Sequence, residues 1–327
     1  MRIFKLVTIT ILLPTICVFA QINTSRPAID NITNKNGANE SIETGETITV
    51  GDLHAVFIDN KEYGEHHRSG YNGISELKHS ARDLNLFVPF YAGFNLEHIF
   101  AGDSLSNLFE PRKFPMELKR TSKTSVELHQ TETPLSHVES WTTFKMVAPH
   151  YIDVSFRCII KSDAFFKHGY AGIFWASYIN APQDKKIYFL GKDKESNENK
   201  WIGAYSTKHG VASTHIGVGD NFDLFTVPEF NVTLANHYSN YLFAKSFYYG
   251  RFDNMVFAYL FSEPKDGIIR FSQSPTGGGP QNPAWDFQFI IQDFIVGKEY
   301  SFNTRLVYKV WTDAEDILDE YKKWDNK

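Results

Sequence analysis

Histidine, carboxylate and aromatic side chains occur in four groups along the chain. In chain order the groups are His66, His67, Arg68 and Asn72; Glu97 and His98; His129, His137, Glu139, His150, Asp153 and His168; and Tyr248, Tyr249, Arg251, Trp285 and Asp286. Acid–base cleavage of a glycosidic bond needs two groups with different pKa values flanking the bond, either two carboxylates or a histidine and a carboxylate. The sequence therefore holds the side chains for this chemistry, provided that the fold brings separate segments together.

Three of these residues are the candidates for catalysis. His168 precedes Gly169 in a stretch that is otherwise apolar and aromatic, and Glu97 and His98 close an apolar strand pattern. An ionisable residue in such a setting is typical of a pocket wall, whereas a satisfied surface or core group is the usual interpretation elsewhere. We therefore expect His168, Glu97 and His98 to be catalytic.

A second set of side chains is expected to bind the substrate. Trp285 follows the Gly279-Pro280 loop and precedes Asp286, so it could stack on a sugar ring, with core packing as the alternative. For Trp175 core packing is the preferred interpretation. The predicted substrate-binding residues are Arg68, Asn72, His150, Tyr249, Arg251, Trp285 and Asp286.

Several other kinds of site are disfavoured by spacing. The densest histidine positions lack the His-x-x-x-His and His-x-Asp spacings of zinc and iron sites, so we expect no catalytic metal. The glycines at 277–279 lack the Gly-Lys-Ser/Thr of a phosphate loop, and Ser69 and Ser140 occupy no nucleophile elbow. We expect no cofactor; a structural calcium ion held by oxygen ligands is left open, although no loop motif indicates one.

Composition narrows the class of partner. The formal net charge is −5 and no basic stripe occurs, so nucleic acid is not expected as a partner. Aromatic residues make up 15% of the chain, with 28 Phe, 16 Tyr and 6 Trp. A large β core accounts for most of the Phe, whereas the Tyr and Trp also suit a carbohydrate-binding surface. A carbohydrate is the partner we expect.

The N-terminus resembles a secretory leader. Arg2 and Lys5 precede an apolar run to Phe19 that is too short to cross a membrane. We predict a signal peptide at 1–20, a flexible polar segment at 21–45, no membrane anchor, and a secreted or periplasmic location. Cleavage would leave Cys158 alone, on the apolar side of a strand, where a core role is expected.

Strand patterns dominate the rest of the chain. Ile152, Val154, Phe156, Cys158 and Ile160 alternate with polar residues, which predicts a strand with one buried face. Residues 166–180 are also extended, and we expect the two segments to form one hairpin within 149–180. About fifteen short strand patterns and a helix over 314–324, with Asp313 as N-cap, predict an all-β protein. The expected architecture is a single domain at 46–327, a large antiparallel β-sandwich of supersandwich type with a short C-terminal helix.

Two segments and a histidine carry a family resemblance. Gly70-Tyr71-Asn72-Gly73-Ile74, then the run from Phe87 to Gly93, then the mid-chain His168, resemble the galactose-mutarotase-like β-sandwich proteins. That group includes sugar epimerases and the sandwich domains of glycoside hydrolases and polysaccharide lyases, and similar chains are secreted by polysaccharide-degrading bacteria. The resemblance implies that His168 is the acid, as in mutarotases. The glutamate base of mutarotases has no match, because Glu299 lies in a turn pattern.

These observations favour a secreted carbohydrate-active enzyme. A glycoside hydrolase acting on poly- or oligosaccharides by histidine and carboxylate chemistry is the first hypothesis. An aldose epimerase or polysaccharide lyase is the second, and a non-catalytic glycan-binding protein is the third.

Overall fold

The computed structural model describes residues 45–63, 67–103, 109–230 and 232–325. The predicted leader and most of the predicted flexible segment, together with His66, lie outside the described residues. The strands are β1 (Glu46–Val50), β2 (Leu53–Ile58), β3 (Gly73–His79), β4 (Asn95–Phe100), β5 (Glu117–Arg120), β6 (Ser125–Gln130), β7 (Val138–Val147), β8 (Tyr151–Ile160), β9 (Tyr170–Ala176), β10 (Ile187–Asp193), β11 (Lys200–Ala204), β12 (Thr214–Gly217), β13 (Tyr238–Phe243), β14 (Phe247–Phe252), β15 (Met255–Phe261), β16 (Ile268–Ser274), β17 (Ala284–Gln292) and β18 (Glu299–Val310). The helices are α1 (Glu110–Lys113), α2 (Thr233–Asn236) and α3 (Ala314–Asp325).

Two sheets contain these strands. β1, β2 and β3 form a small sheet, and the other fifteen form one long sheet. Its order is β4-β9-β17-β16-β12-β13-β10-β14-β15-β18-β8-β7-β6-β5, with β11 paired to β10. The pairs are antiparallel except for the parallel contact between β12 and β13. An antiparallel arrangement of this kind can keep one face in water, which matters for the position of the site.

The long sheet curls so that its two halves pack face to face. Phe156 of β8 meets Trp175 of β9 with ring centroids 4.7 Å apart, although the two strands lie far apart in the sheet order. Phe261 of β15 meets Phe287 of β17 at 4.9 Å, and Tyr248 of β14 meets Phe271 of β16 at 4.8 Å. We call the half with β4, β9, β17 and β16 the inner layer and the half with β18, β8, β7 and β6 the outer layer. The predicted large antiparallel β-sandwich is confirmed.

The expected hairpin between the two halves of 149–180 is wrong. β8 pairs with β7 and β18, whereas β9 pairs with β4 and β17. The physical reason is that both segments present large aromatic side chains to the same core. Phe156 and Trp175 bury these rings edge to face across the sandwich, because strands in facing layers point their side chains at one another.

The two layers differ in how many of their faces are buried. In β8 the predicted alternation is confirmed, since Ile152, Val154, Phe156, Cys158 and Ile160 are buried and the residues between them are not. In β9 every residue is buried, and in β17 all but the last are. The second face of the inner layer is covered by loops that include Leu224, Val232 and Leu234. A cleft opens on this face, among the covering residues.

The predicted C-terminal helix is confirmed as α3. The Asp313 carboxylate accepts a hydrogen bond from the Asp316 N–H at 2.9 Å, as expected of an N-cap. Ile317 and Tyr321 are buried against β14 and β15. In the part of the chain that the structure describes, no helix has both the length and the apolar character needed to span a bilayer.

Candidate functional site

A cleft of about 470 Å³ opens on the second face of the inner layer. Its floor is formed by β4, β9 and β17, and its walls come from α1, α2 and the loops before and after these strands. The lining residues are Tyr71, Glu97, His98, Phe109, Arg112, Phe174, Ala176, Tyr178, His209, Val232, Thr233, Leu234, Ser274, Gly277, Ala284 and Asp286. An apolar and aromatic lining with a few convergent polar groups is typical of a small-molecule site.

A β-bulge places Glu97 and His98 in the cleft together. Along β4, Leu96 is opposite Trp175 and His98 is opposite Phe174, so Glu97 is the extra residue. In a regular strand neighbouring side chains point to opposite faces, whereas a bulge turns two consecutive side chains toward one side. Glu97 and His98 therefore share a pocket, as expected, because of the bulge. The alternation of apolar and polar residues in the sequence does not predict this bulge.

The Glu97 carboxylate is buried and held by two donors. The Tyr178 hydroxyl donates to it, with 3.0 Å to Oε1 and 2.9 Å to Oε2, and Arg112 Nη1 lies 3.4 Å from Oε1. Burial raises the pKa of Glu97, and the Arg112 guanidinium and the Tyr178 hydrogen bond oppose that rise by stabilising the carboxylate. Glu97 is thus a buried carboxylate that keeps a counter-ion.

His98 is a neutral imidazole. Its Nδ1 accepts the N–H of Phe109 at 3.4 Å, so its ring hydrogen is on Nε2, which lies 3.7 Å from Glu97 Oε1. Burial lowers the pKa of His98 to about 3, with a further decrease from the Arg112 charge. His98 can therefore orient a ligand or Glu97 as a donor, and it does not carry a positive charge near neutral pH.

Asp286 is the second carboxyl group of the cleft. Its Oδ1 accepts the Ser177 N–H at 3.0 Å, and its Oδ2 has no hydrogen-bond partner among the described residues. Burial raises the pKa of Asp286 well above its ordinary value, and the nearby Glu97 charge raises it further. Two buried carboxyls in one cleft, only one of which has a cation beside it, are the arrangement in which one group stays protonated.

The mouth of the cleft carries a second histidine. His209 Nδ1 lies 3.0 Å from the Ser274 hydroxyl at the end of β16. Burial lowers the pKa of His209, and the neighbouring His237 lowers it further. Within the residues described, no group of three or more His, Cys, Asp or Glu side chains is arranged to hold a metal ion.

His168 lies away from this lining. It precedes β9, where its Nε2 is 2.8 Å from Asp103 Oδ1 and its ring packs 4.4 Å from Phe225. The catalytic role predicted for His168 would thus need a site other than the cleft of Glu97 and His98. The Glu299 carboxylate, which the mutarotase resemblance left without a role, is half exposed and pairs with Arg157.

Two predicted substrate-binding residues have structural contacts instead. The Asn72 side chain is buried, donates to Asn95 Oδ1 and the Leu96 carbonyl, and accepts the Leu96 N–H, so it positions the start of β4 beside the bulge. Trp285 has no exposed surface, and its indole N–H donates to the Lys185 carbonyl. The stacking role for Trp285 is wrong, because strand alternation turns its ring into the core and Asp286 into the cleft.

The other predicted binding residues lie elsewhere. Arg68 is exposed in the loop before β3. Tyr249 stacks on Tyr188, and Arg251 lies 4.1 Å over the Trp311 ring, in the cluster beneath α3. His150 lies 3.8 Å from Glu320 of α3. Of the predicted substrate-binding set, Asp286 is the residue that lines the cleft.

Three important lining residues were missed by the sequence analysis. Tyr178 follows β9, Tyr71 belongs to the Gly70–Gly73 turn, and Arg112 is in α1. An aromatic residue between turn-forming residues is a weak signal for Tyr71. Arg112 has no sequence signal, because a single arginine beside a proline is common on protein surfaces.

Comparison with known proteins identifies neighbours by structure alone. No protein-family model and no curated protein sequence matches the chain. A protein assigned as an aldose 1-epimerase from Escherichia coli K12 aligns with a TM-score of 0.40 at 9% identity, over 81% of this chain and 98% of that one. The α-N-acetylgalactosaminidase NagBb of Bifidobacterium bifidum aligns with 0.47 at 9% identity, over 86% and 38%. The heparan sulfate lyase HepC of Pedobacter heparinus aligns with 0.41 at 9% identity, over 80% and 34%.

The chain thus spans nearly the whole of the first neighbour and little more than a third of the other two. At this level of similarity the comparison concerns the arrangement of strands, and no residue role carries over from it. Carbohydrate-active proteins are among the structural neighbours, as the sequence resemblance implied.

Proposed function

We propose that the cleft is the active site of a secreted carbohydrate-active enzyme of the glycoside hydrolase type. Asp286 acts as the general acid and Glu97 as the base or nucleophile. The observation that carries this assignment is the contrast between two buried carboxyls that line one cleft. Glu97 has Arg112 and Tyr178 to stabilise its charge, whereas Asp286 Oδ2 is unpartnered among the described residues.

The chemistry follows from this contrast. A protonated Asp286 can donate to the oxygen of a leaving sugar, while an ionised Glu97 attacks the anomeric carbon or activates a water. The rings of Tyr71, Phe109, Phe174 and Tyr178 supply flat apolar surface to the same cleft, which suits the faces of a pyranose. His98 is neutral and adjacent to Glu97, so it orients the substrate as a hydrogen-bond donor. Its pKa of about 3 means that it does not change its charge near neutral pH.

The structural neighbours bear the names of an epimerase, a lyase and a glycosidase, so their names do not distinguish among reactions on a carbohydrate. The choice of hydrolysis comes from the carboxyl pair.

Incubating the protein with a panel of polysaccharides and measuring new reducing ends tests the assignment. Asp286→Asn and Glu97→Gln should each lower kcat by about 100-fold or more, because each removes one proton-transfer group. Glu299→Gln is the matched control, since that carboxylate lies on the outer layer and is half exposed. Full turnover by either cleft variant would overturn the assignment.

Three further readouts separate the alternatives. Absorbance of an unsaturated uronate would show elimination, mutarotation of a free sugar would show epimerisation, and binding without product would show a glycan-binding protein. His168→Ala tests the sequence-based assignment directly; the cleft assignment predicts turnover within about threefold of the wild type.

A further inference from the structure

Hydrogen bonds from buried polar side chains fix the backbone segment that carries Arg112. It lies in the short helix α1, whose backbone carbonyls at Pro111 and Phe114 each accept hydrogen bonds from Asn60 Nδ2 and Gln130 Nε2, at 2.5–3.1 Å. The Glu110 carboxylate accepts the N–H groups of Leu135 and Ser136. Three side chains that are at most 7% exposed thus fix a four-residue helix. A side chain on so rigid a support is pre-organised for recognition.

The guanidinium is not fully used by its protein neighbours. It lies 3.8 Å over the Tyr71 ring and 3.4 Å from Glu97 Oε1. That distance exceeds the ~2.7–2.9 Å of a strong charge-assisted hydrogen bond. Arginine has five N–H donors, and among the described residues the Arg112 guanidinium has one hydrogen-bond acceptor, Glu97, with the Phe109 ring 4.9 Å away as a second aromatic neighbour. Its side chain is 16% exposed and lines the cleft, so donors remain for a ligand.

The other ionisable groups of the cleft do not compete for an anion. Burial lowers the pKa values of His98 and His209, which disfavours a positive charge on either ring, and burial raises the pKa of Asp286, which favours its protonated form. Among the described residues that line the cleft, Glu97 is the carboxyl group beside Arg112, and it already forms an ion pair with it. An incoming anion would therefore find one fixed cation, placed on an aromatic ring next to the proposed acid–base pair.

We propose that Arg112 makes the cleft selective for a glycan residue that bears an anionic group, a carboxylate or a sulfate ester. The planar fork of arginine matches both oxyanions, and a lysine in its place would bind as a point charge. This assignment presupposes that the cleft takes a carbohydrate, as proposed above. It names the class of sugar and leaves the reaction to Glu97 and Asp286.

Binding of simple glycosides to the Asp286→Asn variant tests the selectivity without turnover. The probes are methyl glucuronide, methyl galacturonide and methyl galactoside 6-sulfate, each against its neutral parent glycoside, with Kd measured by calorimetry or ligand-detected NMR. We expect at least one anionic probe to bind about tenfold or more tightly than its neutral parent, because the parent cannot form the charge-assisted bidentate contact with Arg112. The uronides and the sulfate ester distinguish the two anion types.

Arg112→Met should reduce the binding of that anionic probe to the level of the neutral parent, and Arg112→Lys should retain part of the preference. Lys113→Met is the matched control, since Lys113 is the next residue of α1 and is exposed. The selectivity is overturned if no anionic probe binds more tightly than its neutral parent, or if Lys113→Met has as large an effect as Arg112→Met. A thermal melt of each variant identifies unfolding, and Arg112→Lys keeps the test valid if Arg112→Met is unfolded.

Failure here is distinguishable from failure of the proposed function. Turnover that survives Glu97→Gln or Asp286→Asn would remove the acid–base assignment and leave the binding preference intact. Equal binding of charged and neutral glycosides would remove the preference and leave the acid–base assignment intact.

Discussion

Two ion pairs, one on each layer of the sandwich, differ sharply in their exposure to water. On the outer layer, Arg157 and Glu299 form an ion pair with both side chains well exposed, at 39% and 52%. On the inner layer, Arg270 is fully buried and binds Asp220 through two nitrogens, at 2.7 and 2.8 Å. Water solvates the first pair, so either partner can change at small cost. Water does not reach the second pair, so removal of one partner would leave the charge of the other buried and unpaired.

Buried polar side chains of the inner layer also shape the cleft. Inner-layer side chains hold the covering loops: Gln288 Nε2 donates to the Ala235 carbonyl, and Ser272 and Thr214 donate to the Leu234 carbonyl. These bonds position α2, a wall of the cleft. The same face supplies Glu97 and Asp286, whose pKa values burial has raised. The Arg157–Glu299 pair of the outer layer stays in contact with solvent, whereas Arg305 of the same layer is buried and binds Asp153 through two nitrogens.

Replacing the buried arginine should have the largest effect. Arg270→Met leaves Asp220 buried without its cation, so we expect a loss of about 3–5 kcal/mol in the free energy of unfolding. Arg157→Met, its counterpart on the outer layer, should lose no more than about 1 kcal/mol. Urea unfolding followed by tryptophan fluorescence measures both, with Arg270→Lys as an intermediate if the methionine variant does not fold. Equal losses at the two sites would contradict the comparison.

A smaller effect is expected where a neutral side chain holds a cleft wall. Gln288→Met removes the donor for the Ala235 carbonyl and should reduce the free energy of unfolding by about 1–3 kcal/mol. It should also raise KM on any substrate found, because α2 lines the cleft. The control Asn303→Ala, at an exposed position of β18, should stay within about 0.5 kcal/mol of the wild type. An unchanged KM together with unchanged stability would show that Gln288 does not hold the wall.

The pH dependence of stability should have opposite signs on the two layers. Because the folded pKa of Asp286 is raised, the folded state keeps a proton that the unfolded chain has lost above about pH 4. Wild-type stability should therefore fall relative to Asp286→Asn as pH rises toward the folded pKa, by up to about 1.4 kcal/mol per pH unit.

Glu139 on the outer layer provides the opposite case. The hydrogen bond from Lys161 lowers the pKa of Glu139, so its contribution is present above the unfolded pKa and is lost as pH falls. Glu139→Gln should be less stable than the wild type at neutral pH, and the gap should close on acidification. Urea midpoints between about pH 2 and about pH 8 measure both differences, because the Glu139 contribution is lost below its unfolded pKa of about 4. Slopes of the same sign would refute the assignment.

The smallest effect is expected for a matched pair of serines. Ser272→Ala removes one of three donors to the Leu234 carbonyl and should cost about 0.5–1.5 kcal/mol, since Thr214 and Gln288 still donate. Ser155→Ala, exposed on β8, should change the unfolding free energy by less than about 0.5 kcal/mol. Chemical denaturation of the two variants, measured side by side, resolves this difference. Identical results would mean that the remaining donors satisfy the Leu234 carbonyl without Ser272.

The fold was largely predictable, and the site was predictable in part. The alternation in β8 and the cap at Asp313 are local signals, and both are confirmed. Glu97, His98 and Asp286 were identified because ionisable residues in apolar strands are rare. The pairing of β8 with β9 was predicted wrongly, since chain proximity does not tell adjacent strands from facing ones. Trp285 was placed in the site by its neighbours in sequence, although its own position in the alternation turns it inward.

The sequence by itself determined the all-β fold class, because strand periodicity, aromatic content and the cap of the terminal helix each depend on residues that are close together in the chain. Tertiary structure alone decided that Arg112, Tyr178 and Glu97 meet, since they come from a short helix, a loop and a bulged strand. It also decided which carboxyl has a cation beside it. A pKa depends on burial and on charges brought close from distant segments, and neither quantity is contained in the local order of residues.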